Sequence, residues 1–135
     1  MDAAEARRRF ADARVARLAT AGADGRPHLV PISFAVDGDT VYSAVDEVKP
    51  KATRRLRRLA NVAENPSVSL LVDHYSDDWS ALWWVRADGR ARVLAAAPDA
   101  VALLVARYPQ YRAAPPGGPV LVVDVERWTG WSASE

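Results

Sequence analysis

A chain of 135 residues with 50% hydrophobic content is the length of one domain and can bury a core without metal or disulfide staples. It has no cysteine, and His28 and His74 are its only histidines, which excludes disulfides, thiolate metal centres and cysteine nucleophiles and disfavours an imidazole zinc site. A formal charge of +1 disfavours a general nucleic-acid binder, no apolar run approaches the roughly 20 residues of a membrane span, and the charged N-terminal stretch lacks a signal peptide's apolar block. The expectation is a cytoplasmic protein with neither nucleic acid nor membrane as partner.

Residues 2–14 are rich in Ala, Glu and Arg, with Ala6, Phe10 and Ala13 at helical spacing, which predicts a short amphipathic helix. Residues 15–20 and 27–36 are β-rich runs on either side of Gly22-Ala23-Asp24-Gly25, and Asp37-Gly38-Asp39 turns the chain into a third strand over 40–45, so a meander is expected. A helix is expected over about 51–63, stopped by Asn65-Pro66. Residues 67–75 read as a strand, and 80–87 with 90–95 as a hairpin across Asp88-Gly89. Pro98-Asp99 opens a helix through Arg107. Residues 108–119 hold four of the nine prolines and read as a loop. A last strand covers 120–127, with Trp128 and Trp131 in the tail. About six antiparallel strands with helices between hairpins indicate an α+β barrel in a single domain over residues 1–135.

The most informative local feature is Lys49-Pro50-Lys51-Ala52-Thr53-Arg54-Arg55-Leu56-Arg57-Arg58, in which six of ten residues are cationic and none is acidic. A helix beginning near Lys51 puts Lys51, Arg55 and Arg58 on one face. It also sets the lysines at the helix N-terminus, where free N–H groups and the dipole favour an anion. The ordinary alternative is a solvated helix face. Uncompensated like charges destabilise a helix by a few tenths of a kcal/mol per pair, which tips the reading toward an anionic partner without saying which.

The second feature is the supply of tryptophan. Trp83 and Trp84 are adjacent in a strand and must point to opposite faces. One can fill the barrel, while the other needs cover from a subunit, a ligand or the chain's own helix. His28 and His74 do not declare a role. No nucleophile elbow, dinucleotide-binding glycine pattern or phosphate loop is present.

With these residues in view, the chain resembles the split-barrel flavin and deazaflavin oxidoreductases related to pyridoxamine phosphate oxidase, most closely their F420-binding B group. The pieces that carry the resemblance are Arg17-Leu18-Ala19-Thr20, Asp24-Gly25-Arg26-Pro27-His28, Leu29-Val30-Pro31-Ile32-Ser33-Phe34, the basic helix to Asn65-Pro66, Val68-Ser69-Leu70-Leu71-Val72-Asp73, Asp78-Trp79-Ser80 and Gly89-Arg90-Ala91. It implies a six-stranded antiparallel split β-barrel with flanking helices and a homodimer with coenzyme sites between the subunits. The coenzyme-binding residues it implies are His28 with Val30, Pro31, Ile32 and Ser33 along the ring, Lys49, Lys51, Arg55 and Arg58 at the phosphate-bearing tail, and Trp79 and Ser80 approaching from a loop. The 46–61 stretch is a few residues longer than in such relatives, so Arg58 stands as the alternative to Lys51 at the phosphate.

The function so implied is F420-dependent hydride transfer to an electron-poor C=C or C=N bond of a small conjugated acceptor. No residue announces itself as a proton donor. The Arg/Ala-rich, lysine-poor composition and six cations suited to an acidic glutamate tail favour F420 over FMN. The alternatives are an FMN-binding pyridoxamine phosphate oxidase-like protein and a non-catalytic flavin or haem carrier, because fold does not fix function.

Overall fold

Local sequence signals start each helix. The structure, a computed structural model, describes residues 1–45 and 52–134, and side chains outside 52–56. Helix α1 (Ala3–Asp12) opens where the Asp2 side chain accepts from the Glu5 N–H at 2.8 Å, as an N-cap should. It buries Ala6 and Phe10. Helix α2 is Ala52–Glu64, and α3 (Pro98–Arg107) begins with the proline its first turn tolerates. A short helix, α4 (Pro109–Ala113), lies within the stretch expected to be loop.

Seven strands form one antiparallel sheet: β1 (Ala16–Ala21), β2 (Pro27–Ile32), β3 (Ala35–Asp37), β4 (Thr40–Ala44), β5 (Ser67–His74), β6 (Trp83–Leu94) and β7 (Val120–Ser132). Their order is β2-β1-β5-β6-β7-β4-β3. The α+β class holds, with helices flanking the sheet, but other expectations are corrected. The sheet has seven strands where six were expected, and its edges β2 and β3 do not close it. The run 27–36 is two strands, so the meander fails: β2 pairs only with β1, and β3 turns back on β4 at the opposite edge. Residues 80–95 are no hairpin. Ser80 lies in a 3₁₀ turn (Trp79–Ala81), and β6 runs on through Asp88-Gly89 because β5 and β7 flank it on both sides.

At that point β6 meets a bulge. Asp88 pairs with Arg127 and Gly89 with Val125, leaving Glu126 as the additional residue of β7. A Cβ at Gly89 would collide with the Asp124 carbonyl oxygen, so the close approach requires glycine. Beyond the bulge Trp128 and Trp131, expected in a tail, are strand residues. Gly38 has φ of 60°, the left-handed conformation that its two-residue turn demands.

The inner face of the curled sheet holds the main core. Leu18, Leu70, Val72, Val85, Leu121 and Val123 are buried there with Phe10 of α1, Phe34 and Val62 of α2. Phe10 packs on Phe34 and Trp128 with ring centroids 4.9 and 5.3 Å apart. Asp39 ties three segments together, accepting from Arg7 at 3.1 Å and from the Trp128 indole N–H at 2.9 Å. On the outer face α3 covers only one half of the sheet, burying Val120 and Val122 with Ala100.

Candidate functional site

The uncovered half of the outer face belongs to β2, β1, β5 and β6. Side chains alternate across a strand, and the register puts Pro31, Arg17, Leu71 and Arg86 in one row and Leu29, Ala19, Ser69 and Asp88 in the next. Leu29 is 67% exposed, Leu71 38% and Trp131 45%. The charges at the margins are paired, Arg17 with Asp73 at 4.0 Å and Arg86 with Asp88 at 2.9 Å. A groove of about 450 Å³ runs over this face, lined by Arg17, Ala19, Leu29, Leu71, Asp73 and Arg86.

Strand β2 forms the free edge beside it. Pro27 and Pro31 share one parity of the strand, and an edge strand admits proline where the N–H would face away from its neighbour. That edge is therefore rich in carbonyls and poor in donors.

The expected ring-side residues divide between the two faces. Pro31 is exposed on the outer face, whereas Val30 and Ile32 turn into the core. His28 also faces inward, opposite Thr20, and its Nδ1 is buried without a partner. It lies five residues before Ser33, about 17 Å along an extended strand. Ser33 follows β2, and its carbonyl accepts from Ser43 Oγ at 2.8 Å. Trp79 is 74% exposed in the turn between β5 and β6. Asp78 caps that turn, accepting from the Ser80 hydroxyl at 2.6 Å and the Ser80 N–H at 3.1 Å, and these bonds lower the Asp78 pKa. The ends of the strands place Ser33 and the Trp79 turn toward one end of the sheet and His28 toward the other. Of the cations, Arg58 is half-buried on α2. Lys49 and Lys51, and the Arg55 side chain, lie outside the described residues.

A second groove, of about 800 Å³, begins at Ser33 and is lined by Arg14, Arg107, Tyr108, Tyr111 and Arg112. These residues were not singled out in the sequence. Arg107 donates to the Phe34 carbonyl at 3.1 Å and to the Ala13 carbonyl. Arg14 donates to the Arg107 carbonyl at 3.2 Å, and Arg112 to those of Val105 and Ala106 at 3.4 and 3.1 Å. Among the described residues no carboxylate stands within ion-pair distance of the three guanidiniums. Burial lowers the Arg107 pKa; Tyr108 opposes that effect, the Arg14 charge adds to it, and the Asp12 carboxylate, beyond ion-pair distance, opposes it. The only advance signal was Arg107-Tyr108-Pro109, basic and aromatic residues at a helix end, which carries no chemistry by itself. Among the described residues no group of acidic or imidazole side chains could hold a metal, and no helix is long and apolar enough to cross a membrane.

The fold is shared with known proteins. The structure resembles a conserved hypothetical protein of Mycobacterium tuberculosis, with TM-score 0.74 and 22% identity over 98% of this chain and 86% of that one. It also resembles an FAD-binding protein of Mesorhizobium loti (TM-score 0.69, 23% identity, 96% and 92% covered). A third likeness is the haem storage protein HutZ of Vibrio cholerae (TM-score 0.71, 15% identity, 98% and 95% covered). In sequence, a 5a,11a-dehydrotetracycline/5a,11a-dehydrooxytetracycline reductase of Streptomyces rimosus is 42% identical over 57 residues, which span 42% of this chain and 38% of the reductase. The pyridoxamine 5'-phosphate oxidase family matches residues 3–132, and the chain belongs to that family.

Proposed function

We propose that the protein is an F420-dependent reductase that works as a homodimer, with coenzyme bound along β2 where the bare sheet faces of two copies meet. The observation that carries the reading is the 42% identity to a reductase of a 5a,11a-dehydro compound, in a chain whose family match runs over residues 3–132. A reduced deazaflavin supplies the hydride, and an electron-poor C=C or C=N bond of a conjugated acceptor takes it.

The residues present fit such a group. The unpaired edge of β2 offers backbone carbonyls to a planar ring, and Pro31 and Leu29 offer apolar contact beside it. Lys49, Lys51, Arg55 and Arg58 provide positive charge for the anionic tail. Arg14 and Arg112, whose charges no carboxylate neutralises among the described residues, suit an acceptor carrying a carboxylate or enolate. The second copy supports the reading in a further way: Leu29, Leu71 and Trp131 form an apolar surface that a partner would bury.

FMN is the second reading, favoured by the FAD-binding neighbour. A non-catalytic carrier has support in the haem storage protein. Titration of the purified protein with F420 and with FMN separates the first two. Tight F420 binding with oxidation of its reduced form by an enone or quinone supports the proposal. Purification as a yellow FMN protein overturns the coenzyme assignment, and F420 binding with no turnover across acceptors indicates a carrier. Lys51→Glu is expected to weaken coenzyme binding about tenfold, the loss of one charge-assisted contact.

A further inference from the structure

The sequence 27–36 is β-forming throughout, yet the chain leaves the ladder at Ser33-Phe34, and no glycine or proline explains the break. The groups that meet the freed backbone of Phe34 come from more than 70 residues away. The Tyr108 hydroxyl accepts from the Phe34 N–H at 3.1 Å and stands 3.0 Å from the carbonyls of both Phe34 and Arg14. Arg107 donates to the same Phe34 carbonyl at 3.1 Å and to that of Ala13. Ser43 closes the set on the Ser33 carbonyl. The Ser33 carbonyl and both backbone groups of Phe34 are thus met by side chains instead of a strand.

The clamp is stiff. The Arg107 guanidinium lies 4.7 Å from the centre of the Phe34 ring and 5.5 Å from that of Tyr108, and Tyr108 is buried with Leu104, Ala35 and Ala44. Arg107 is half-buried, with the Asp12 charge acting on it from beyond ion-pair distance, so its hydrogen bonds to the Phe34 and Ala13 carbonyls offset part of the desolvation cost. The clamp acts where β2 presents its last outward backbone. Because Pro31 has no N–H, the next residue of its parity able to donate is Ser33.

We propose that Arg107 and Tyr108 are positioning residues for the coenzyme ring: they fix the Ser33-Phe34 peptide and thereby the end of the β2 edge on which the ring lies. This rests on the reading of β2 as the coenzyme edge. Neither residue touches the reacting atoms; both act through Ser33.

The experiment titrates F420 and FMN into the wild-type protein, Tyr108→Phe, Arg107→Lys and Leu104→Ala, recording affinity, the absorption band of the bound coenzyme and thermal stability. Tyr108→Phe keeps the ring and loses the acceptor for the Phe34 N–H. It is expected to weaken coenzyme binding about tenfold, the scale of one lost hydrogen bond at a bound ligand, and to shift the bound band toward that of free coenzyme. Arg107→Lys keeps the charge but loses the fork and is expected to do the same. Leu104→Ala removes packing from the same cluster without touching the hydrogen bonds, so it should lower stability more than Tyr108→Phe does while leaving affinity and band unchanged. Unchanged affinity and band in both Tyr108→Phe and Arg107→Lys overturn the inference. So does a Leu104→Ala protein whose coenzyme properties move as far as theirs, since that makes the clamp merely structural. Wild-type protein that binds neither F420 nor FMN removes the functional reading itself, and that is seen before any variant is compared.

Discussion

Two halves of one sheet face are finished differently. Over β7 and β4 the outer residues Val120, Val122 and Tyr42 lie beneath α3. Over β2, β1, β5 and β6 the equivalent rows are open, with Leu29, Leu71 and Trp131 in contact with solvent. The covered half is made stable from within by a helix that follows β6 directly. The open half has the same alternation with apolar residues outward, but among the described residues no element covers them, which is what an interface needs and a stable monomer does not.

Four measurements break or sharpen that contrast. Leu71→Arg places a charge at the centre of the open half. It should weaken self-association by about a hundredfold or more, because an unpaired charge buried at an interface costs several kcal/mol; sedimentation equilibrium reads this, and a wild-type monomer or an undisturbed variant dimer removes the contrast. Leu104→Ala, in the covered half, should cost about 2–5 kcal/mol in denaturant unfolding and leave association alone. Trp79→Ala, exposed at the margin of the open half, should lower coenzyme affinity by about threefold to tenfold, the range for losing one exposed aromatic contact, with thermal stability unchanged.

The smallest effect concerns Asp39, in the turn between β3 and β4 at the margin of the covered half. The Trp128 indole bond, then the Arg7 bond, lower its pKa from the ordinary aspartate value. A carboxyl whose folded pKa is depressed contributes stability that is present above its unfolded pKa, near 3.9, and is lost as pH falls through the lower folded value. Acid melting curves below about pH 4 should therefore fall less steeply for Asp39→Asn than for wild type. Parallel curves would show that the carboxylate contributes nothing.

Much of this was legible in the sequence, and the failures share a cause. The alternation of β5, the Asp37-Gly38-Asp39 turn and the prolines that open or stop helices are local signals, and each element formed where expected. At the break at Ser33-Phe34 the freed backbone of Phe34 is met by Arg107 and Tyr108. The continuity of β6 through Asp88-Gly89 is enforced by β5 and β7 on either side. Neither is written in the residues concerned, since Asp-Gly is a good hairpin turn until two neighbours supply a ladder. The site was legible in part. Val30, Pro31 and Ile32 lie on the edge strand β2 and Ser33 just beyond it, but the alternation that sends Pro31 outward sends His28, Val30 and Ile32 inward. The groove of Arg14, Arg107 and Arg112 joins residues some 90 positions apart and left no mark on any one segment.

The strand order carries a consequence for synthesis. Strand β7 stands between β6 and β4 and, among the described residues, is the strand whose ladder joins the β3–β4 hairpin to the rest of the sheet. Until it emerges, the nascent chain owns two unjoined pieces of sheet with open edges at β6 and β4, the kind of exposed pairing surface that chaperones shield. Shortening the chain before Val120 should therefore yield an aggregating polypeptide instead of a smaller folded one.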